Sequence, residues 1–146
     1  LRGVHVLSKF VWWVCGDNDT GDDGTAYLAY TVNGGRSWVR LQPAGRAALV
    51  RGYDVRFATP ECGYFLAANG SLPAGATELF TTCDGGDTWV SQGSRFTNLF
   101  DNDLATRIAV PDNTNPEIAA NNAVIVGNQT GAPNPGQIWR LAPTVF

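Results

Sequence analysis

Aspartates are concentrated in one short stretch, DNDTGDDG, which runs from Asp17 to Gly24. Its four acidic residues are Asp17, Asp19, Asp22 and Asp23. Carboxylate oxygens are ligands that Ca²⁺ prefers, and the ion takes about six to eight of them. The spacing lacks the distal glutamate of an EF-hand loop. The stretch is therefore a candidate calcium site, with a solvated turn rich in Asp, Asn and Gly as the alternative. No other cofactor is indicated.

A further carboxylate, Asp84, lies in the stretch TTCDGGDTWV beside two glycines, a hydroxyl and a tryptophan. The pattern occurs three times, and its tryptophans follow one another at intervals of 51 and 50 residues. The shared positions are Thr31, Asn33, Gly35 and Trp38, then Thr82, Asp84, Gly86 and Trp89, and finally Asn134, Gly136 and Trp139. Two copies carry a neutral Asn, which cannot serve as a general acid. The pattern therefore predicts a structural turn whose Asx side chain accepts backbone N–H groups.

The residues upstream of each turn repeat as well. An apolar run precedes each copy (VWWVCGDN, GYFLAANG, AVIVGNQ), and an alternating segment precedes each run (LRGVHVLS, VRGYDVRF, LATRIAVP). With one strand on either side of the turn, each unit has four strands, A to D. We predict an all-β chain with essentially no helix and units at about 1–48, 49–100 and 101–146. The three tryptophans should occupy equivalent buried positions between neighbouring sheets.

Two of the three cysteines are predicted to face each other. If the B–C hairpin of the second unit is centred on SLPAG, Cys62 and Cys83 lie opposite one another on antiparallel strands. Such positions have Cα atoms about 4.5–5.5 Å apart, which permits a disulfide. The matching residues of the first unit, Val11 and Val32, are apolar, so a buried reduced pair is the alternative. Cys15 lies in an apolar strand without a local base and is expected to be an inert core thiol.

Each apolar run is followed by a possible glycosylation sequon. The acceptors are Asn18, Asn69 and Asn128, each with Ser or Thr two residues later. Turns favour the same residue types, so coincidence is the alternative.

Composition excludes two classes of partner. The net charge is −3 with 16% charged residues, and no basic run is present to neutralise a nucleic-acid backbone. No segment contains the roughly 20 consecutive apolar residues of a membrane-spanning helix. The chain begins at Leu1 and has no methionine, so we expect a mature product or a piece of a longer polypeptide.

The turn pattern resembles the Asp-box, or BNR, repeat, S/T-x-D-x-G-x-T-W, which Thr82 to Trp89 matches fully. The longer unit FATPECGYFLAANG…LFTTCDGGDTW is similar to blades of the photosystem II assembly factor Ycf48 family and, more distantly, to sortilin and sialidase propellers. The resemblance covers essentially the whole chain as three blades, the third degenerate. It implies a β-propeller in which the Asp-boxes lie at the periphery, away from the ligand site.

In a propeller the A strands line the central channel, where this chain offers His5, Asp54, Arg56 and Arg107. The resemblance to sialidases implies three arginines, a Tyr/Glu nucleophile pair and an acid. Arg107-Ile-Ala-Val-Pro only echoes the family's arginine motif. The glutamates are Glu61, Glu78 and Glu117, of which the first and last fall in connections. These residues form no convincing pair of catalytic carboxylates.

Three blades are too few for a ring, since propellers contain about four to eight. The chain is therefore an excerpt of a longer propeller, half of a six-bladed dimer, or a module that stacks on a partner. We expect a non-enzymatic scaffold that self-associates or binds a protein partner through open blade faces. We expect an extracytoplasmic location, with a surface layer, a filament or a virion as examples of the assembly. The alternative is an excerpt of a glycan-binding or glycoside-hydrolase propeller.

Overall fold

The computed structural model describes residues 1–17, 26–41, 49–69, 77–92, 107–110, 124–127 and 137–140. These residues form strands and turns without any helix, as the sequence predicts. The strands are β1 (Gly3–Val6), β2 (Trp12–Asp17), β3 (Ala26–Thr31), β4 (Val39–Leu41), β5 (Leu49–Phe57), β6 (Gly63–Asn69), β7 (Thr77–Thr82), β8 (Val90–Ser91), β9 (Arg107–Ala109), β10 (Val124–Gly127) and β11 (Gln137–Arg140).

The first two sheets are antiparallel meanders of four strands each. The first has the order β1-β2-β3-β4 and the second the order β5-β6-β7-β8. Consecutive strands pair because the intervening turns reverse the chain and the apolar residues alternate with the strand period of two. Neither sheet closes on itself in the described part of the chain.

The connection between the first and second strands has the same hydrogen bonds in the first two sheets. In the first sheet the hydroxyl oxygen of Ser8 accepts the N–H groups of Phe10 and Val11. In the second sheet Thr59, 51 residues later, accepts the N–H groups of Glu61 and Cys62. The backbone bonds across the two turns repeat with the same offset. The sequence repeat is therefore a structural repeat in the first two units.

The third sheet differs from the prediction. It has three described strands in the order β11-β10-β9, and Trp139 lies inside β11, paired with Ile125 of β10. In the first two units the tryptophan instead precedes a short fourth strand. The third turn pattern also lacks the leading threonine, because Ala132 stands seven residues before Trp139. The third pattern therefore has no counterpart of the hydroxyl through which Thr31 and Thr82 make their hydrogen bonds. Asn134 and Gly136 lie outside the described residues.

The first sheet packs on the second through an aromatic cluster. Trp13 lies between the sheets, with ring centroids 4.9 Å from Phe57 and 5.8 Å from Trp89. Trp89 also makes edge contacts with Phe57 and Phe65 at 6.0 and 6.1 Å. Cys15, Leu28, Val55, Ala67 and Phe80 complete this core. Edge-to-face and tilted pairs of this kind are favourable beyond the apolar area they bury.

The other face of the second sheet packs against the third. Tyr64, Leu66 and Leu79 form a second buried cluster with Ile108 of β9. The second sheet is thus covered on both faces, and all six residues of its strand β7 are buried. Its interior position explains why its strands are apolar on both faces.

The prediction that Trp38 is buried like Trp89 is wrong. Trp89 is 7% exposed and packs on the first sheet, whereas Trp38 is 40% exposed. Each tryptophan faces the side of its sheet on which the preceding unit would lie. The second sheet has the first sheet there, and no described sheet lies in the corresponding place beside Trp38. The side-chain environment of Trp139 is outside the described part of the chain.

This difference predicts unequal costs of truncation. Trp89→Ala should lower the free energy of unfolding by about 3–5 kcal/mol, because it leaves a cavity among three aromatic rings. Trp38→Ala should cost less than about 1 kcal/mol, because the side chain is largely solvated. Urea denaturation of the two variants measures both values, and equal costs would contradict the stacking order described here.

Candidate functional site

The second turn, Thr82–Trp89, is organised by a threonine hydroxyl. The Thr82 Oγ1 atom accepts the N–H of Gly86 at 3.0 Å and donates to the Asp84 carboxylate at 2.6 Å. It also lies 3.4 Å from the N–H of Asp84. Because Thr82 is itself buried, these bonds join the exposed turn to the end of β7.

The Asp84 carboxylate closes the same turn from the opposite end. Its two oxygens both lie 3.0 Å from the N–H of Thr88, and its Oδ2 atom also accepts the Thr88 hydroxyl. Hydrogen bonds from Thr82 and Thr88 hold the pKa of Asp84 well below its usual range. The Asp84 carboxylate is therefore ionised at neutral pH, and its hydrogen bonds lie within its own turn.

The first turn, Thr31–Trp38, reproduces this arrangement with a neutral side chain. Thr31 Oγ1 accepts the N–H of Gly35 at 3.0 Å and donates to Asn33 Oδ1 at 2.9 Å. Asn33 Oδ1 accepts the N–H of Ser37 at 2.9 Å, and its amide group donates to the Ser37 hydroxyl at 2.7 Å. The turn therefore requires an oxygen acceptor at this position and no negative charge.

Gly86 combines two demands that only glycine meets. Its φ is 95°, in the region that L side chains rarely adopt. A Cβ atom there would also lie 2.3 Å from the Trp13 ring of the first sheet. The turn is consequently part of the contact between the two sheets as well as a hairpin connection.

Asp54, in β5, links the first strand of the second sheet to β9, the first strand of the third sheet. This carboxylate is fully buried, and its Oδ2 atom accepts the N–H of Ile108 at 2.9 Å. Its Oδ1 atom accepts the N–H of Val55 at 3.0 Å and lies 3.4 Å from the guanidinium of Arg56. Burial raises the pKa of Asp54, and the hydrogen bond from Ile108 together with Arg56 opposes that rise.

Two arginines complete this inner-strand network, which we define as Asp54, Arg56 and Arg107. Arg56 donates to the carbonyl of Ile108 at 3.3 Å and to the carbonyl of Val4 in β1. Arg107 donates to the carbonyl of Arg2 at 3.0 Å. These guanidinium groups therefore bind backbone oxygens of neighbouring sheets, which are the strongest neutral acceptors available there. The sequence placed these residues on inner strands but gave no sign of their backbone partners.

The remaining reactive groups of this region are restrained by burial. His5 stacks on Phe57 at 6.1 Å, and burial, then Arg56, lowers its pKa. Burial raises the pKa of Cys15 to about 12, so the thiol is protonated at neutral pH, as expected of an inert core cysteine. Burial likewise raises the pKa of Tyr64 to about 12. Cys15 and Tyr64 are therefore protonated at neutral pH and are not activated as nucleophiles there, while the lowered pKa of His5 favours its neutral imidazole.

The predicted disulfide is confirmed. Cys62 and Cys83 are bonded, with Cα atoms 4.0 Å apart. The neighbouring pair, Gly63 with Thr82, has the register that the sequence predicts. The bridge closes the B–C hairpin of the second sheet at the end that leads into the Thr82 turn. Cys15 is the free cysteine of the described residues.

The predicted calcium ligands are only partly described. Asp17 receives two bonds from Arg2, at 3.1 and 2.9 Å, and lies 3.4 Å from Arg51. The hydrogen bond from Arg2 lowers the pKa of Asp17. Asp19, Asp22 and Asp23 lie outside the described residues, so the calcium site stays a prediction. Across the described ranges, no three His, Cys, Asp or Glu residues form a group that could hold a metal ion.

The predicted glycosylation sites and the remaining carboxylates are distributed over the chain. Asn69 ends β6, where its backbone pairs with Leu49. Asn18 and Asn128 are outside the described residues. Glu78 is buried and accepts the hydroxyl of Ser91, while Glu61 is exposed in a turn. Glu117 is likewise outside, and the structure brings no two described glutamates together.

The sequence interpretation missed Ser8 and Thr59, which order the first turn of the first and second sheets. Both are hydroxyl residues separated by the repeat interval of 51, which is the signal that would have identified them. It also missed the ion pairs of Asp17, because Arg2 and Arg51 are far from it in sequence.

Comparison with known proteins does not extend this description. No protein-family model matches the chain, and no curated protein or solved structure matches it either. Among the described residues no helix has the length and apolar character of a membrane span.

The Asp84 carboxylate predicts how stability depends on acid. Because the fold lowers the pKa of Asp84, its contribution is present above the unfolded value near pH 4 and is lost as pH falls toward the folded pKa. Asp84→Asn should therefore lose less stability than the natural chain between pH 7 and about pH 2.5. Urea denaturation at both pH values measures this. Asp87→Asn, an exposed residue of the same turn, is the control and should follow the natural chain; identical acid losses in all three proteins would contradict the assignment.

Proposed function

We propose that this chain is a non-enzymatic scaffold of the β-propeller type, which works by presenting stacked sheets to other protein surfaces. The observation that supports the proposal most is that the inner-strand network binds backbone atoms of adjacent sheets. In propellers the first strands surround the ligand channel. In this chain Asp54, Arg56 and Arg107 of the first strands form hydrogen bonds with the backbone of adjacent sheets. Hydrogen bonds of this kind hold the stack together, and the N–H donors that Arg56 and Arg107 use in them are engaged by protein carbonyls.

The two ordered turns support the same proposal. Their Thr, Asx and Gly positions resemble an Asp-box, and the charged residue of that pattern is satisfied within its own turn. The two neighbouring sheets stack face to face, with the second turn touching the first sheet. These features fit a propeller sector whose turns are structural.

An extracytoplasmic location is part of the proposal. The Cys62–Cys83 disulfide supports it, because such bonds persist in oxidising compartments and are rare in the reducing cytosol. We propose that the scaffold belongs to a surface, filament or virion assembly in which it is joined to a protein partner.

The experiment compares two arginine variants. Arg56→Ala should lower the free energy of unfolding by about 1–3 kcal/mol, because the carbonyls of Val4 and Ile108 lose a donor. Arg36→Ala, which removes an exposed arginine of the first turn, should change it by less than about 0.5 kcal/mol. Urea denaturation gives both values. Glycan-array binding and hydrolysis of fluorogenic glycosides, including sialosides, should be at background for the natural chain.

One outcome of these assays would overturn the scaffold proposal. Glycan binding or glycoside turnover that is lost in Arg56→Ala, with the stability of that variant unchanged, would assign Arg56 to a ligand. The chain would then be an excerpt of a glycan-binding or glycoside-hydrolase propeller.

A further inference from the structure

One face of the first sheet is exposed although the equivalent face of the second sheet is buried. We define this outer face by Val4, Val6, Trp12 and Trp38. Val4, Val6 and Trp38 are 50%, 58% and 40% exposed. Their counterparts 51 residues later, Val55, Phe57 and Trp89, are 0%, 4% and 7% exposed. The counterparts are buried because the first sheet covers them.

Strand pairing places these residues on one face. Val6 pairs with Trp12, and Val4 pairs with Val14, whereas His5 pairs with Trp13. Because side chains alternate, the face of Val4 and Val6 is opposite to the face through which Trp13 contacts the second sheet. Trp38 joins it across the first turn, beside Trp12. The result is a continuous apolar surface of valine and tryptophan side chains on an ordered sheet.

We propose that this outer face binds the third sheet of a second copy of the same chain. This inference rests on the proposed scaffold function and names its partner. The equivalent contact gives the kind of partner required, because there the second sheet is covered by the face of another antiparallel sheet. The second strand of the third sheet, Val124–Gly127, has an aliphatic sequence.

The order in which the three sheets stack indicates which sheet of the second copy would cover the outer face. The first sheet turns Trp13 toward the second, and the second turns Tyr64, 51 residues later, toward Ile108 of the third. The same face therefore points toward the next unit at each step. The third sheet follows in this order, and its far face is the one that continues the series. A second copy supplies that face, which makes the contact head-to-tail.

The experiment uses the chain as it stands and two variants. Sedimentation velocity from about 1 to about 100 µM should show concentration-dependent association of the natural chain. Val4→Glu/Val6→Glu should weaken this association by more than about a hundredfold, because binding would desolvate two carboxylates. Val90→Glu is the matched control, since it alters a 60% exposed strand valine outside the outer face and should associate normally.

Hydrogen exchange tests the same contact without relying on a variant. Raising the concentration of the natural chain should slow exchange in β1 and also in β10 and β11. Slowing in β1 alone would indicate two first sheets facing each other, and would overturn the head-to-tail contact with the third sheet.

Two other results would overturn the proposal. The natural chain can remain monomeric over the whole concentration range, or associate equally well with Val4→Glu/Val6→Glu. Either result removes the second copy as partner of this face and leaves the scaffold function standing, because that function is tested separately by Arg56→Ala and the glycan assays.

Discussion

Packing of the Trp13 ring against the second sheet is the contact on which the rest of the structure depends. A four-stranded sheet with apolar residues on both faces cannot remain alone in water, because each exposed apolar face carries a free-energy cost proportional to its area. The cluster around Trp13 buries one face of the first sheet and one face of the second. The contact of Trp13 with Trp89 and Phe57 also fixes the distance between the sheets, and Gly86 must lack a side chain to allow it.

Polar groups determine how the stacked sheets are aligned. Apolar contacts between sheets are not directional, so a sliding displacement would cost little without other restraints. Asp54 and Arg56 supply such restraints, because their hydrogen bonds reach named backbone atoms in the adjacent first strands. Leaving Asp54 unpaired in its fully buried position would be expensive, which makes the alignment specific.

The sequence was most informative where one local rule decides the structure. Strand alternation and turn residues predicted the meanders, and the hairpin centre at SLPAG predicted the pairing that joins Cys62 to Cys83. Prediction from the sequence failed where the environment of a residue depends on a neighbouring unit. Trp38 and Trp89 have the same local pattern, yet one is exposed and the other buried. Similarly, Trp139 preserves the spacing while its strand pairs differently, since spacing does not encode the missing Thr hydroxyl at Ala132. The partner of Asp54 in the third sheet was unpredictable because it is the backbone N–H of Ile108, 54 residues away.

A double-mutant cycle between Trp13 and Trp89 tests the central contact most directly. Leucine replaces each tryptophan singly and together, and urea denaturation gives the free energy of unfolding of all four proteins. The stacking described here predicts a coupling energy of about 1 kcal/mol between the two positions, while the cycle between Trp38 and Trp89 should be additive. Additivity of Trp13 and Trp89 within about 0.3 kcal/mol would contradict the account, because two rings that pack against each other cannot be replaced independently.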